Sequence, residues 1–507
     1  MTRISNVASL TAQRFLTQHN QGLTKSLERL STGLAINRSA DDPARLIASE
    51  KLRSNLAKIE GALRNTERAD QVVNTAEGGL TEVSGLLTEL QSLVSETSSS
   101  AGLSTEEKEA NQTQIDAILQ TIDRISATTS FAGTKLLNGT FDFQISAGSM
   151  DYRILDLRIN GAKLGPTSTA VNVIVTQSAQ HAGLFLSVGG TLDLNNNASN
   201  RLSLEIAGSK GSRQLSFASG ATTTDIRDSI NSFKDVTGLS AATNGTGVLV
   251  KSESFGSSEF ITVNVVSNGE LNNRVMTAGI YLLSSSDENQ IRTDSDSTAF
   301  SAVPSPIRDE GQDVGAVVNG ETARGKGTQL FVNNDALDLT MTLSSTGNGA
   351  QILESFTAFG ISGGGANFNL GPNVNVGNSV RLGIQNIAAR NLGRHSVGSL
   401  DSLASGKANN IIDGSVSTAQ TIVDEAIDQV ALLRGRLGTF QKFTVGTTLQ
   451  SLAIELENTR RAESIIRDTD FAKEAAELTR RQILIAAATN ALNIANAQSQ
   501  NVLSLLG

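Results

Sequence analysis

The chain has 507 residues, of which 18% are charged, with a formal net charge of -9. That length suggests roughly three or four domains, and the mild acidity argues against nucleic-acid or anionic-membrane binding, which needs a basic surface. No cysteine is present, which excludes disulfides, thiolate metal sites and a cysteine nucleophile. Chance in a reducing cytosol and a chain exported unfolded both fit that count.

The opening Met1-Thr-Arg-Ile-Ser-Asn-Val7 lacks the basic and apolar regions of a signal peptide. Leu16, Leu23, Leu27, Leu30 and Leu34 then follow the 3-4 spacing of a coiled-coil seam. Asp41-Asp42-Pro43 predicts a new helix start, with proline in the first turn. From there Leu52, Leu56 and Ile59, and after a phase slip near Thr66 Val83, Leu87 and Leu90, predict a helix to about Glu96. At 1.5 Å per residue it would be about 80 Å long, a rod that needs partner helices to bury its seam. Ser104-Thr-Glu-Glu107 reads as a capping box opening a shorter helix with Ile115, Ile118 and Ile122 on one side.

From about Phe141 to Ser399 the character changes. Four of the five prolines, Pro166, Pro304, Pro306 and Pro372, fall in this region. Asn138-Gly139 reads as a hairpin turn. Period-2 alternation at Tyr152–Ile159, Arg201–Ile206, Gly247–Lys251, Phe260–Val266, Gln329–Val332 and Leu337–Leu343 predicts strands. One helix is expected among them, from Ile226, Ile230 and Phe233.

Helical pattern returns with Val423, Val430 and Leu437 and continues despite Gly438 and Gly446. The last segment places Leu484, Ala488, Ala491, Ala495, Val502 and Leu505 at coiled-coil spacing, and residues 482–507 carry no charge. Asn490, Asn493 and Asn496 interrupt that segment, which suits burial in protein better than lipid. Both chain ends are therefore amphipathic helices that need something to pack on. An intramolecular bundle with no further role stays open; the uncharged last helix, with amide faces needing neighbours, favours packing between subunits. The fold class expected is α+β: a long antiparallel coiled-coil stem formed by both chain ends, with inserted β-rich outer domains.

Three stretches resemble the terminal regions of bacterial flagellins: Ser9-Leu-Thr-Ala12 and Ser26-Leu-Glu-Arg-Leu-Ser-Thr-Gly-Leu-Ala-Ile-Asn37 with Ala40-Asp-Asp-Pro-Ala44, Thr129-Ser-Phe-Ala-Gly-Thr-Lys-Leu-Leu-Asn-Gly139, and Glu457-Asn-Thr-Arg-Arg-Ala-Glu-Ser-Ile-Ile-Arg-Asp-Thr-Asp-Phe-Ala-Lys-Glu474 followed by Leu478–Leu484 and Asn501–Leu506. The resemblance covers about residues 1–145 and 405–507. In the centre, Leu204–Gly208, Gly247–Val250, Asp313–Gly320 and Gly325–Leu330 resemble a short motif of some flagellins and filament-cap proteins.

The resemblance implies a secreted, extracellular subunit that polymerises into the flagellar filament. It places 1–42 and 460–507 in an inner terminal coiled-coil domain and 43–145 with 405–459 in a helical stem domain. A first outer domain is expected at 146–300 and a second at 301–404. It further implies export through the flagellar apparatus with a chaperone on the C-terminal helix, filament-cap and hook-junction proteins as partners, and neither nucleic acid nor membrane. Asp41, Asp42, Arg45, Arg467, Asp468 and Asp470 fall near the expected junction of inner and outer helices, where weak ion pairs would set register; solvated surface charge is the competing reading. In many flagellins the segment after the Leu-Gln matching Leu90-Gln91 carries arginines and a glutamate read by an animal Toll-like receptor. Here Ser92, Leu93, Val94 and Ser95 follow, which implies weak or absent activation.

No cofactor or metal is expected: His19, His181 and His395 are scattered, and no phosphate-binding or zinc-protease motif occurs. The rivals are a hook–filament junction protein, sharing the stem, and a surface adhesin with a helical stalk. An enzyme is the weakest reading.

Overall fold

A computed structural model describes residues 7–98, 104–146, 150–163, 168–195, 199–269, 279–284, 297–300, 306–334, 336–345, 350, 353–394 and 397–506, the side chains of 297–299 and 498–506 excepted. His395, Pro166 and Pro304 lie outside these residues. The fold is α+β, with helical terminal regions and a β-rich middle.

Helices form where the sequence keeps proline out and supplies caps. α1 (Val7–Thr32) ends at Gly33, whose φ of 72° lets its N–H reach back to the Arg29 carbonyl at 2.9 Å. α2 (Pro43–Thr97) starts behind Asp42, whose carboxylate accepts the Arg45 N–H at 3.0 Å. α3 (Thr105–Thr128) carries the expected capping box, with the Glu107 N–H donating to Ser104 Oγ and the Ser104 N–H to the Glu107 carboxylate. Within the β-rich middle lie α4 (Thr223–Asn231), capped by Thr222 and burying Ile226 and Ile230, and the single turn α5 (Lys234–Thr237). α6 (Val416–Thr439) runs through a π-helical turn, Phe440–Val445, into α7 (Gly446–Arg467), and α8 (Phe471–Leu506) closes the chain.

The chain divides into two compact units, one of Met1–Gln71, Phe368–Asn378 and Thr439–Gly507 and the other of Val72–Asn367 and Ser379–Gly438. These limits differ from the expected ones at 42/43, 145/146, 404/405 and 459/460.

In the second unit, most strands gather in three sheets among the described residues. The largest has the order Phe143–Ile145, Ser355–Gly364, Thr169–Gln177, Gly315–Val318, Glu321–Lys326, Gln329–Asn333, Leu337–Leu343, Ile154–Ala162, with antiparallel pairing throughout. Alternate residues such as Val171, Val173 and Val175 enter one core with Leu330, Leu339, Met341 and Phe359. A five-stranded sheet built on Gly183–Ser187 and Gly247–Ser252 and a four-stranded sheet built on Arg201–Gly208 and Phe260–Ser267 share another core, with Leu186, Leu204, Val250 and Val263. The second core draws on residues between Ala182 and Ile307, inside the segments that build the first.

The outer domains are thus nested rather than consecutive at 300/301. Periodicity finds strands but not partners, and Gly315–Val318 pairs back across the whole insertion to Val173–Gln177. The crossing is stitched by Gln180 and Gln312, which exchange two backbone hydrogen bonds at 2.8 and 3.0 Å. The Asp313 carboxylate there accepts from Ser257 and from the Gly327 N–H. A further difference concerns the hairpin expected at Asn138-Gly139. The short ladder pairs Ser130–Phe131 with Thr134–Lys135 and turns at Ala132-Gly133, both with positive φ.

Candidate assembly interface

In the first unit α1 packs on α8 in antiparallel sense. Ser9 Oγ donates to Asn496 Oδ1 at 2.9 Å near one end, and Arg29 pairs with Glu474 at 3.5 Å near the other. Ala12 and Ser26 are the buried residues of α1, with Leu16, Leu23, Leu30 and Leu34 half-buried. Leu27 is 50% exposed. The seam turned towards α8 therefore runs through Ala12, Leu16, His19, Leu23, Ser26 and Leu30, a 3-4 repeat in which a serine takes the place expected of Leu27. On α8, Leu484, Ala488 and Leu492 are half-buried and Ala495 is buried, while Ala491 is exposed. Leu492 thus replaces Ala491 in the covered face; over this span the helix repeats nearer 3.6 than 3.5 residues. The side chains of Val502 and Leu505 lie outside the described residues.

What sequence reading missed is the set of small residues. Ala12, Gly22 and Ser26 let α8 come close, and Arg481 lies over Gly22. The signal was present as glycine, alanine and serine spaced along one face, but the leucines drew attention from it.

Between α1 and α2 the chain is bound to the α7–α8 connection. Leu34 bridges Asp468; the Ala35 N–H donates to the Arg467 carbonyl at 2.7 Å and the Thr469 N–H to the Gly33 carbonyl at 2.9 Å. The six charges named from sequence lie around this crossing, with different tasks. Asp41 pairs with Lys25 at 2.7 Å and accepts the Asn37 and Arg38 N–H groups at 3.1 and 3.0 Å. The Lys25 hydrogen bond and those amides hold its carboxyl down at about 2 against partial burial. Arg45 donates to the Ile465 carbonyl at 3.2 Å, and Arg467 pairs with Glu50 at 3.5 Å. Asp468 accepts from Ser464, and Asp470 accepts the Lys473 N–H at the start of α8. Asp42 and Asp470 are thus helix caps.

The first-unit part of α2 packs antiparallel on α7, since Glu60 pairs with Arg460 and Asp70 with Gln441 as the numbering runs oppositely. Ile59, Ala62 and Leu452 form a small core with Leu63 and Leu456, and Leu52 and Leu56 are half-buried. In the second unit Val83, Leu87, Leu90, Val423, Val430 and Leu437 are all buried, and Gln91 and Glu77 bond Asp424 and Arg434 in the same opposed order. Ser92 and Ser95 are exposed; Leu93 and Val94 are buried. Among the described residues no cluster of three or more His, Asp or Glu could hold a metal, and no helix is long and apolar enough to cross a membrane.

The chain is similar to known proteins at both ends and in its middle. Residues 4–142 match the bacterial flagellin N-terminal helical region, 420–506 the C-terminal helical region, and 202–252 the flagellin hook IN motif. Flagellin B of Helicobacter pylori is 28% identical over 545 aligned positions, covering 99% of each chain. The B-type flagellin of Pseudomonas aeruginosa is also 28% identical, covering 100% of this chain and 99% of its own. A solved structure of FliC from Burkholderia pseudomallei overlaps 74% of this chain and 99% of that one at 15% identity; its TM-score of 0.22 is too low to carry any argument.

The chain belongs to the bacterial flagellin family. It is a structural subunit of the extracellular flagellar filament, the propeller of swimming motility, and that family is structural rather than catalytic.

Proposed function

We propose that this flagellin polymerises by coupled folding and packing of its terminal helices, which form a coiled-coil stem whose innermost element is α8. The observation that carries the reading is the unbalanced surface of α8. Residues 482–507 have no charge, α1 covers one face, and Ile483 and Ile494 on other faces stay 65% and 63% exposed. An uncharged helix that leaves isoleucines and amide side chains bare outside its one covered face is best stabilised by further neighbours, and a homopolymer supplies them. Helices in proteins draw most of their stability from packing, so stacking, at roughly 25 cal/mol per Å² of apolar surface removed from water, completes their folding.

In this reading 1–42 and 460–507 pack innermost, with the stem segments around them and the β-rich middle facing solvent. Of the six charges at the crossing, Asp41 and Arg467 set register through weak ion pairs with Lys25 and Glu50, which suit a lattice that switches between packings of similar energy, while Asp42, Arg45, Asp468 and Asp470 hold the chain through hydrogen bonds. The flagellar export apparatus and a chaperone on the C-terminal helix deliver the chain, and cap and hook-junction proteins bound the filament. Hydrogen exchange on monomer and filament tests the coupling. Residues 1–40 exchange fast in the monomer and slowly in the filament; uniform high protection of 1–40 in the monomer contradicts it.

A further inference from the structure

We infer that Asn244 is a site of spontaneous conversion to isoaspartate, an irreversible age mark on the inserted β core. The sequence holds six Asn-Gly pairs, at Asn138, Asn160, Asn244, Asn268, Asn319 and Asn348. All six share the residue that least hinders the reaction, because a glycine nitrogen has no neighbouring Cβ to obstruct its approach. Asn348 lies outside the described residues, and the fold separates the other five.

Four of those five are engaged. Asn138 Oδ1 accepts the Thr140 N–H at 3.1 Å and the Thr140 hydroxyl at 2.6 Å. Asn160 lies inside a strand of the largest sheet, and its Nδ2 donates to Asp338 at 3.0 Å. Asn319 Oδ1 accepts the Asn172 N–H at 2.8 Å, and the Asn319 N–H donates to the Asn172 carbonyl at 3.0 Å. Asn268 is not free either.

Asn244 differs. It ends the strand Leu239–Asn244 and pairs with Gly247 across the turn Gly245-Thr246. Gly245 takes the positive φ, 55°, that such a turn demands, and open space surrounds it. Residues 244–246 are all exposed. Among the described residues, neither the Asn244 side chain nor the Gly245 N–H has a hydrogen-bond partner.

To react, Asn244 turns about its Cα–C bond until Gly245 N reaches Cγ. Only the closing pair of a hairpin gives way here, whereas at Asn160 a ladder must open. The nitrogen attacks Cγ, the Cγ–Nδ2 bond breaks, and Nδ2 leaves as ammonia with the Gly245 proton. Water then opens the cyclic imide at either carbonyl, giving aspartate or isoaspartate with no change of oxidation state. Isoaspartate inserts a methylene into the main chain and adds a negative charge. Both fall beside the Thr246 carbonyl, which accepts the Val188 and Gly190 N–H groups at 3.3 and 2.8 Å, and so loosen the turn from that loop.

The test incubates purified full-length chain at mildly alkaline pH, folded and in urea. Mass spectrometry follows each Asn-Gly peptide, with isoaspartate tagged by an isoaspartyl methyltransferase. In the folded chain Asn244 converts at least roughly fivefold faster than Asn138, Asn160 or Asn319, the factor imposed by one net hydrogen bond that must first break. In urea, where the fold no longer separates the sites, the rates converge. Equal rates in the folded chain, faster conversion at any of those three, or the same ranking in urea overturns the inference.

Discussion

Arg481 lies across α1 at Gly22, where a Cβ would fall 1.5 Å from its Nη1 atom. The arginine pairs with Glu477 one turn back, at 3.0 Å. Glycine inside a helix ordinarily weakens it by about 1 kcal/mol relative to alanine, so its presence here is explained by space for the guanidinium. The expected result is a sign change with background. Gly22→Ala weakens filaments when Arg481 is present and strengthens them by up to about 1 kcal/mol in an Arg481→Ala background. Filament melting followed by light scattering measures both; the same sign in both backgrounds contradicts the explanation.

Asp41 gives the terminal unit an acid limit. Its carboxyl is held at about 2, below the ordinary 3.8 of an aspartate, by the Lys25 hydrogen bond and the Arg38 and Asn37 amides. A depressed folded-state value means stability that is fully present above pH 4 and lost as the pH falls towards 2. Lys25 is 44% exposed, so screening reduces the effect to about 1 kcal/mol. Asp41→Asn should lower filament stability at neutral pH and flatten its loss between pH 4 and 2. An acid limb identical to that of the unaltered chain assigns the loss to other carboxylates.

Arg436 is a half-buried cation of the second unit. It leaves the last turn of α6 to donate to the Asn160 and Gly383 carbonyls at 3.3 and 3.1 Å. Burial pulls it down to about 10, although Asp338 and Asp142 oppose the shift. Desolvation and hydrogen bonding compete here, and the carbonyls decide. Arg436→Ala leaves the Gly383 oxygen without that donor and should cost about 1–3 kcal/mol in urea unfolding of the β-rich unit. A neutral or stabilising outcome means that desolvation dominates.

The segment after Leu90-Gln91 is expected to activate the Toll-like receptor weakly or not at all. Only Ser92 and Ser95 of its four positions are exposed, and neither offers a cation. Potent signalling in a reporter-cell assay overturns this.

The helices were legible because their signals are local: the Ser104 capping box, the proline-free spans, and the buried run of Val83, Leu87 and Leu90 can each be read within a few turns. Strand positions were legible for the same reason, Leu337–Leu343 coming out with the expected limits. Partners were not. The nesting of one β core within the other depends on a pairing between Val173–Gln177 and Gly315–Val318, far apart in sequence and joined by no local pattern. At the helical termini the error was of phase. Leu27 and Ser26 both satisfy a 3-4 step from Leu23, and hydrophobicity favoured the leucine where close approach favoured the serine. Phe443 gave no sequence signal, because exposure in a π-helical turn is a property of the fold.

The most direct test of the account is a near-atomic helical reconstruction of filaments sheared from the cell surface, with mass spectrometry of their content. The account predicts this chain as the repeating component, with α8 innermost and Ile483 and Ile494 buried against neighbouring copies. A filament in which those two side chains face solvent, or in which this chain appears only in traces at filament bases, contradicts it.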